Sequence, residues 1–327
     1  MVMIEIGHQL QQLCRSAKKE LWLVAPFIKL GTLTQLLQEV DAHICINCVT
    51  RWRPEDVLAG VSDLTIWPSL CDRPNTSLWL RQNLHAKYYR ADSQCLVGSA
   101  NLTQTALGWS PSSNLELLIP VFANDPVLQA FEQELNRNKT QVDDELYEQM
   151  QVVVEQLQQS RPDANWIAPD LPRTLAIPEQ ALAIKPETWV PTLRNPEALY
   201  LAYSGQQERL TSASREAAQS DLLHLSIPLS LTKPAFTAYV GFLLLQMPIV
   251  QSVDQFVETP QRFGAVTDLL ESLPCADIPE FNSDRVWQTL MRWLRHFLPD
   301  RYALAVPNYS EVFYRVKKNS TSENVIG

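Results

Sequence analysis

Hydrophobic positions in the first 121 residues alternate between two periods. Residues 4–17 carry Leu10, Leu13 and Cys14 at helical spacing. Residues 21–27 (LWLVAPF) form an unbroken apolar run closed by a proline, as a strand covered on both faces requires. The alternation continues with a helix over 32–40 introduced by Gly31, a strand over 43–50, a short helix over 54–59 and a strand over 64–67. Pro54 stands where a first helical turn tolerates it. Residues 84–90 and 94–98 predict paired strands around a turn at Ala91, Asp92 and Ser93, a helix opens at 103–107, and 115–121 is a further apolar strand. Helix and strand in such succession predict an α/β layer fold.

The pattern changes after residue 125. Residues 125–159 are rich in Glu and Gln, with a broken stripe of Leu128, Phe131, Leu135, Tyr147, Met150, Val154 and Leu157. That stripe predicts a connecting or dimer-packing helix. Ser160 to Asp163 and prolines 162, 169, 172 and 178 mark a linker, so the domains are expected at 1–160 and 161–327. The second is expected to be mainly helical, with helices over 215–224, 234–247, 263–272 and 284–297. Strands over 301–307 and 311–316 would pair around Asn308 and Tyr309, a winged-helix-like pattern. The most apolar stretch, 235–250, is short for a membrane span and contains Gln246 and Pro248, so a buried helix and no membrane partner are expected.

Composition narrows the function. With 27 Lys and Arg against 36 Asp and Glu, the net charge of −9 excludes a surface that coats nucleic acid everywhere. A local basic groove is still permitted, because binding follows the field at the site. Six scattered cysteines suit reduced thiols in a cytoplasmic protein. Cys45 and Cys48 have metal-pair spacing, but no second pair accompanies them, and strand alternation would turn the two sulfurs apart. The N-terminus shows no secretory pattern.

The chemistry concentrates in NLHAKYYRADSQCLVGSANLTQTALGW. His85 and Lys87 fall on one face of a strand, and across the hairpin Ser99 and Asn101 come up beside them. An imidazole, an ammonium, a hydroxyl and a carboxamide suit a phosphodiester, with one nucleophile and three donors for the non-bridging oxygens. Thr50 to Arg53 end a predicted strand, the sheet edge at which α/β folds bind ligands. There Arg51 and Arg53 are candidates for flanking phosphates and Trp52 for stacking on a base, against the plain alternative of solvated arginines beside Glu55 and Asp56. Trp109 is either a wall of the site or a core residue.

His85-x-Lys87, four residues, Asp92, then Gly98-Ser99-x-Asn101 resembles the signature of the phospholipase D superfamily. Five residues separate Asp92 from Gly98, one fewer than the family commonly has. The resemblance implies a mixed-sheet sandwich with helices on both faces. It implies His85 as the nucleophile that forms a phosphohistidine, with Lys87, Ser99 and Asn101 holding the phosphate and no metal or other cofactor required. It also assigns Asp92 to the motif and Glu116 to orienting a histidine. A second histidine must protonate the leaving oxygen, and His8, His43, His224 and His296 all lack a lysine two residues on. The expectation is therefore a homodimer.

Within this family the single motif and the appended domain favour a metal-independent nuclease on DNA rather than RNA. Restriction-type relatives suggest a setting in bacterial defence, with defence proteins as further partners. Arg292, Arg295, Arg301, Lys317 and Lys318 give the second domain a basic C-terminal part. The alternatives are a phospholipase D-type lipid hydrolase and a nucleic-acid-binding or assembly subunit whose site is silent or needs a partner.

Overall fold

The computed structural model describes residues 5–160, 186–307 and 311–316. The chain forms two compact units, residues 1–173 and 174–327. The predicted linker prolines lie outside the described residues.

In the first unit the order is α1 (Ile6–Ser16), β1 (Glu20–Val24), α2 (Leu30–Leu37), β2 (Cys45–Thr50), α3 (Pro54–Leu58), α4 (Ile66–Cys71), β3 (Thr76–Leu80), β4 (Lys87–Ala91), β5 (Gln94–Gly98), β6 (Leu118–Phe122), α5 (Pro126–Arg137), β7 (Thr140–Gln141) and α6 (Asp144–Ser160). The seven strands form one mixed sheet in the order β6-β5-β4-β1-β2-β3-β7. β1, β2 and β3 are parallel, while β4, β5 and β6 continue from β1 as antiparallel neighbours. Alternation along β1 splits the core between two faces. Trp22 and Val24 join Val49, Tyr88 and Leu135 of α5, with Phe131 and Leu128 packed alongside. On the other face α1 lies against β4 and β5, bringing Cys14 close to Tyr89 and Cys48. Helices thus cover both faces, as the fold class required.

Three local expectations are corrected. Residues 64–67 begin a helix, α4, and the strand beside β2 is β3, further on. A short apolar run does not declare its period, and only the parallel pairing with β2 identifies the strand. Residues 103–107 form turns, not a helix. The Leu107 N–H reaches Thr103 O, the Thr103 hydroxyl accepts from Ala106, and Gly108 at φ +77° ends the turn. The segment after residue 125 is two helices broken by β7. α5 is capped by Asp125, packs on the sheet, and α6 packs on α3, so the stripe is used inside the unit.

The second unit runs α7 (Glu197–Tyr203), α8 (Ser212–Leu225), α9 (Lys233–Leu244), α10 (Pro248–Phe256), β8 (Gln261–Arg262), α11 (Phe263–Glu271), α12 (Ser283–Phe297), β9 (Tyr302–Ala305) and β10 (Val312–Arg315). α9 buries Phe236, Val240, Phe242 and Leu244, as a core helix should. Among the described residues no single helix is long and apolar enough to cross a membrane; α9 and α10 together meet that test but bend by 78°. From α10 onward the order is helix, strand, helix, helix, strand, strand, and the sheet order is β8-β10-β9. That is winged-helix order. The outer face of α12 exposes Arg285, Gln288, Arg292 and Arg295. Arg301 is not part of a free basic cluster: it is buried and holds Asp254 with two bonds of 2.8 and 2.7 Å. Lys317 and Lys318 lie outside the described residues.

Two groups of α8 carry opposite shifts. Burial pushes the Asp221 carboxyl up to about 6, even though it accepts from the N–H groups of Thr192 and Leu193. Burial pushes His224, stacked on Trp189 with ring centroids 5.4 Å apart, down to about 4.

Candidate active site

The β4–β5 hairpin builds the site. Lys87 lies opposite Gly98 in its register, so the open end of the hairpin carries His85 on one strand and Ser99 and Asn101 on the other. His85 precedes β4 and is exposed. The Lys87 ammonium bonds the His85 carbonyl at 2.9 Å, which holds the two side by side. Tyr89, fully buried, donates from its hydroxyl to Ala100 O at 2.6 Å and pins the segment between Ser99 and Asn101. Burial raises the Tyr89 hydroxyl well above the ordinary phenol value, so it stays a donor.

The glycine of the motif has a steric reason. A Cβ added at Gly98 would stand 1.8 Å from Leu117 O and 2.8 Å from its carbonyl carbon. The close approach lets the Ser99 N–H reach Leu117 O at 3.0 Å and the Leu117 N–H reach Ser99 Oγ at 3.1 Å. The Ser99 hydroxyl donates to Glu116, two residues before β6, and the other Glu116 oxygen accepts from Asn114 at 3.1 Å. Asn101 Oδ1 is buried and has no hydrogen-bond partner among the described residues.

His85, Lys87, Ser99, Asn101 and Glu116 line a single cleft of about 870 Å³. Its far wall is formed by Lys29, Gly31, Thr32 and Asp63, a set not singled out in the sequence. The signal that joins the walls is long-range: the Lys29 N–H bonds Leu102 O at 2.9 Å and the Leu102 N–H bonds Phe27 O at 3.1 Å. The cleft therefore gathers an exposed imidazole, an ammonium, a hydroxyl and a carboxamide, the kinds of group from which a nucleophile and donors to an anionic centre can be drawn. Among the described residues no group of three or more His, Cys, Asp or Glu is placed to hold a metal ion. Cys45 is exposed and Cys48 buried, on opposite faces of β2.

Asp92 is not in the cleft. It sits at the closed end of the hairpin with φ +50°, and its carboxylate accepts from the N–H groups of Lys18 at 2.7 Å and of Lys19 and Glu20 at 3.1 Å. Burial acts to raise its carboxyl, but the three backbone donors outweigh it and hold the group below the ordinary carboxylate value. The proposed substrate contacts at residues 51–53 are also corrected. Arg51 is buried, paired with Asp56 of α3 at 2.9 Å and laid over the Phe27 ring. Trp52 is buried 6.2 Å from the Tyr147 ring of α6, and Arg53 bonds Gln82 O at 3.1 Å. None of the three lines the cleft. α3 starts at Pro54 and turns its acidic first turn back on the strand end, which draws Arg51 inward. Trp109 packs on α1: a Cβ at Gly7 would stand 2.1 Å from its indole nitrogen.

No family model matches the chain, and no curated protein matches it. Among solved structures the chain is similar to NucT from Helicobacter pylori, with 15% identity, a TM-score of 0.30, and coverage of 38% of this chain and 82% of that one. It is also similar to phosphatidylserine synthase from Haemophilus influenzae Rd KW20, with 15% identity, a TM-score of 0.34, and coverage of 49% of this chain and 43% of that one. This chain therefore matches under half the length of the synthase.

Proposed function

We propose that the chain is a phosphodiesterase of the phospholipase D type that cleaves nucleic acid, DNA before RNA. The observation that carries the reading is the convergence of His85, Lys87, Ser99, Asn101 and Glu116 on one open cleft. In this reading a His85 ring nitrogen attacks phosphorus. A phosphorus–nitrogen bond forms, the phosphorus–oxygen bond to the leaving group breaks, and the leaving oxygen takes a proton from a second imidazole. Water, deprotonated by that second imidazole, then displaces His85 and restores both histidines. Lys87, Ser99 and Asn101 hold the non-bridging oxygens, and Glu116 orients Ser99 through their hydrogen bond.

Among the described residues no other histidine lines the cleft. The second imidazole is therefore assigned to a second copy of the chain. The β6 edge supports this. Leu115 and Leu117 flank Glu116 and, with Ile119 and Phe122, stay exposed, Leu115 by 93%. An apolar sheet edge of this kind is ordinarily covered. The exposed arginines of α12 support nucleic acid as the polymer bound by the second unit.

The test is cleavage of single- and double-stranded DNA and of RNA with and without EDTA, beside turnover of phospholipid vesicles. Cleavage that persists in EDTA and is lost in His85→Ala is expected. Phospholipid turnover without strand cleavage would replace the reading with the lipid one. Cleavage abolished by EDTA or retained in His85→Ala would remove it.

A further inference from the structure

The far wall of the cleft contains a feature that the hydrolytic step does not use. α2 begins there, with Lys29 at its N-cap. The first four N–H groups of a helix lack partners within the helix. Here the first intrahelical bond runs from the Leu33 N–H to Lys29 O, and the Leu30 N–H is taken by Asp63 Oδ2 at 2.8 Å. Gly31 and Thr32, the next two residues of the first turn, line the cleft. A Cβ added at Gly31 would meet nothing within 4 Å, so a ligand can approach the backbone there. Thr32 supplies the second, independent observation. Its side chain is 0% exposed, yet its Oγ1 has no hydrogen-bond partner among the described residues. Buried hydroxyls are nearly always partnered, so this one keeps a bond open for a group seated in the cleft.

The charge beside this turn is balanced. Lys29 donates to Asp63 and, at 2.9 Å, to Gly60 O. An anion seated on the helix end therefore meets a neutral pair rather than a lone carboxylate, and the helix dipole favours it. The position is also fixed relative to the reacting centre. The backbone bond between Lys29 and Leu102 makes Asn101 and Thr103 the neighbours of the N-cap residue. An anion on this turn would share the cleft with an anion held by Asn101.

We propose that the first turn of α2, with the Thr32 hydroxyl, is a second phosphate subsite that holds the phosphate adjacent to the scissile one. This deepens, and rests on, the phosphodiesterase reading. It names the substrate as a polynucleotide strand, whose neighbouring phosphates fill both subsites at once. A lipid with one phosphodiester leaves the α2 turn idle.

The experiment compares kcat/KM for a short single-stranded oligonucleotide and for bis(p-nitrophenyl) phosphate, which has one phosphodiester. Thr32→Val is close in shape and removes only the hydroxyl. It should lower the preference for the oligonucleotide about tenfold, the worth of one hydrogen bond to a charged group. Gly31→Asp is the second variant. A carboxylate in a first turn favours the helix, so melting temperature should hold or rise, while the preference for the oligonucleotide should fall further. Preference unchanged in both variants would mean that Thr32 holds only solvent, and would overturn the subsite. Equal losses on both substrates would also overturn it. If the wild type hydrolyses neither substrate, the phosphodiesterase reading falls by itself. The subsite is then judged by oligonucleotide affinity in fluorescence anisotropy, where equal affinity of wild type and Gly31→Asp would overturn it.

Discussion

The two ends of the β4–β5 hairpin carry the same kinds of residue and treat them in opposite ways. At the closed end the Asp92 carboxylate is met by three backbone N–H groups and the turn is complete. At the open end His85 is exposed and Asn101 Oδ1 is buried without a partner among the described residues. Polar groups that stabilise a fold have their bonds made already. Polar groups that act on a ligand keep some of theirs open, at a cost in stability. Sequence spacing reports both alike, and the difference lies in the bonding.

That contrast can be broken in descending order of effect. His85→Ala should lower turnover by about 10⁴-fold or more, as removal of a nucleophile does, with melting temperature unchanged. A large loss of stability in this variant would make the open end structural too. Gly98→Ala should cost about 1–3 kcal/mol in chemical denaturation, because the new methyl meets the Leu117 backbone, and should reduce activity by moving Ser99. Tyr89→Phe should cost about 1–2 kcal/mol by leaving Ala100 O without its bond. Its activity loss should exceed that of Asp92→Asn, because Tyr89, unlike Asp92, bonds the Ser99–Asn101 segment. Asp92→Asn keeps a side chain that tolerates a positive φ and removes the charge. It should cost about 0.5–1 kcal/mol, little because the carboxyl is only partly buried, and leave turnover intact. The Asp92 carboxyl is depressed in the folded state. Its contribution is therefore present above the ordinary carboxylate value and lost as pH falls through the lowered one. Wild type and Asp92→Asn should converge in stability under acid denaturation, and a constant gap would refute the charge argument.

Much of the fold was legible where a period was sustained. α1, β1, β2, the β4–β5 hairpin and α8, α9, α11 and α12 follow from runs long enough to show their spacing, whereas the short helices α7 and α10 were not expected. α4 and β3 did not, because residues 64–67 are too few to declare a period. The near wall of the site was legible because its residues lie close together in the chain. The far wall was not: Lys29 and Thr32 reach it only through the parallel bridge between Ile28 and Leu102. Arg51 and Trp52 misled for the converse reason. Asp56 stands beside the strand end in the sequence, but nothing local shows that its pair with Arg51 is buried rather than solvated, and so worth about 3–5 kcal/mol when broken.

Asp221 and His224 give the second unit a particular proton inventory. Near pH 5 the folded unit keeps a proton on Asp221 and none on His224, and the unfolded chain does the reverse. Asp221 alone would make the unit less stable as pH rises from 4 to 6, and His224 alone would make it more stable. Together they exchange one proton inside the molecule and almost none with solvent. The calorimetric heat of unfolding at that pH should accordingly carry little contribution from these two groups through the ionisation enthalpy of the buffer. In His224→Phe, which can keep the stack on Trp189, a buffer-dependent heat should appear.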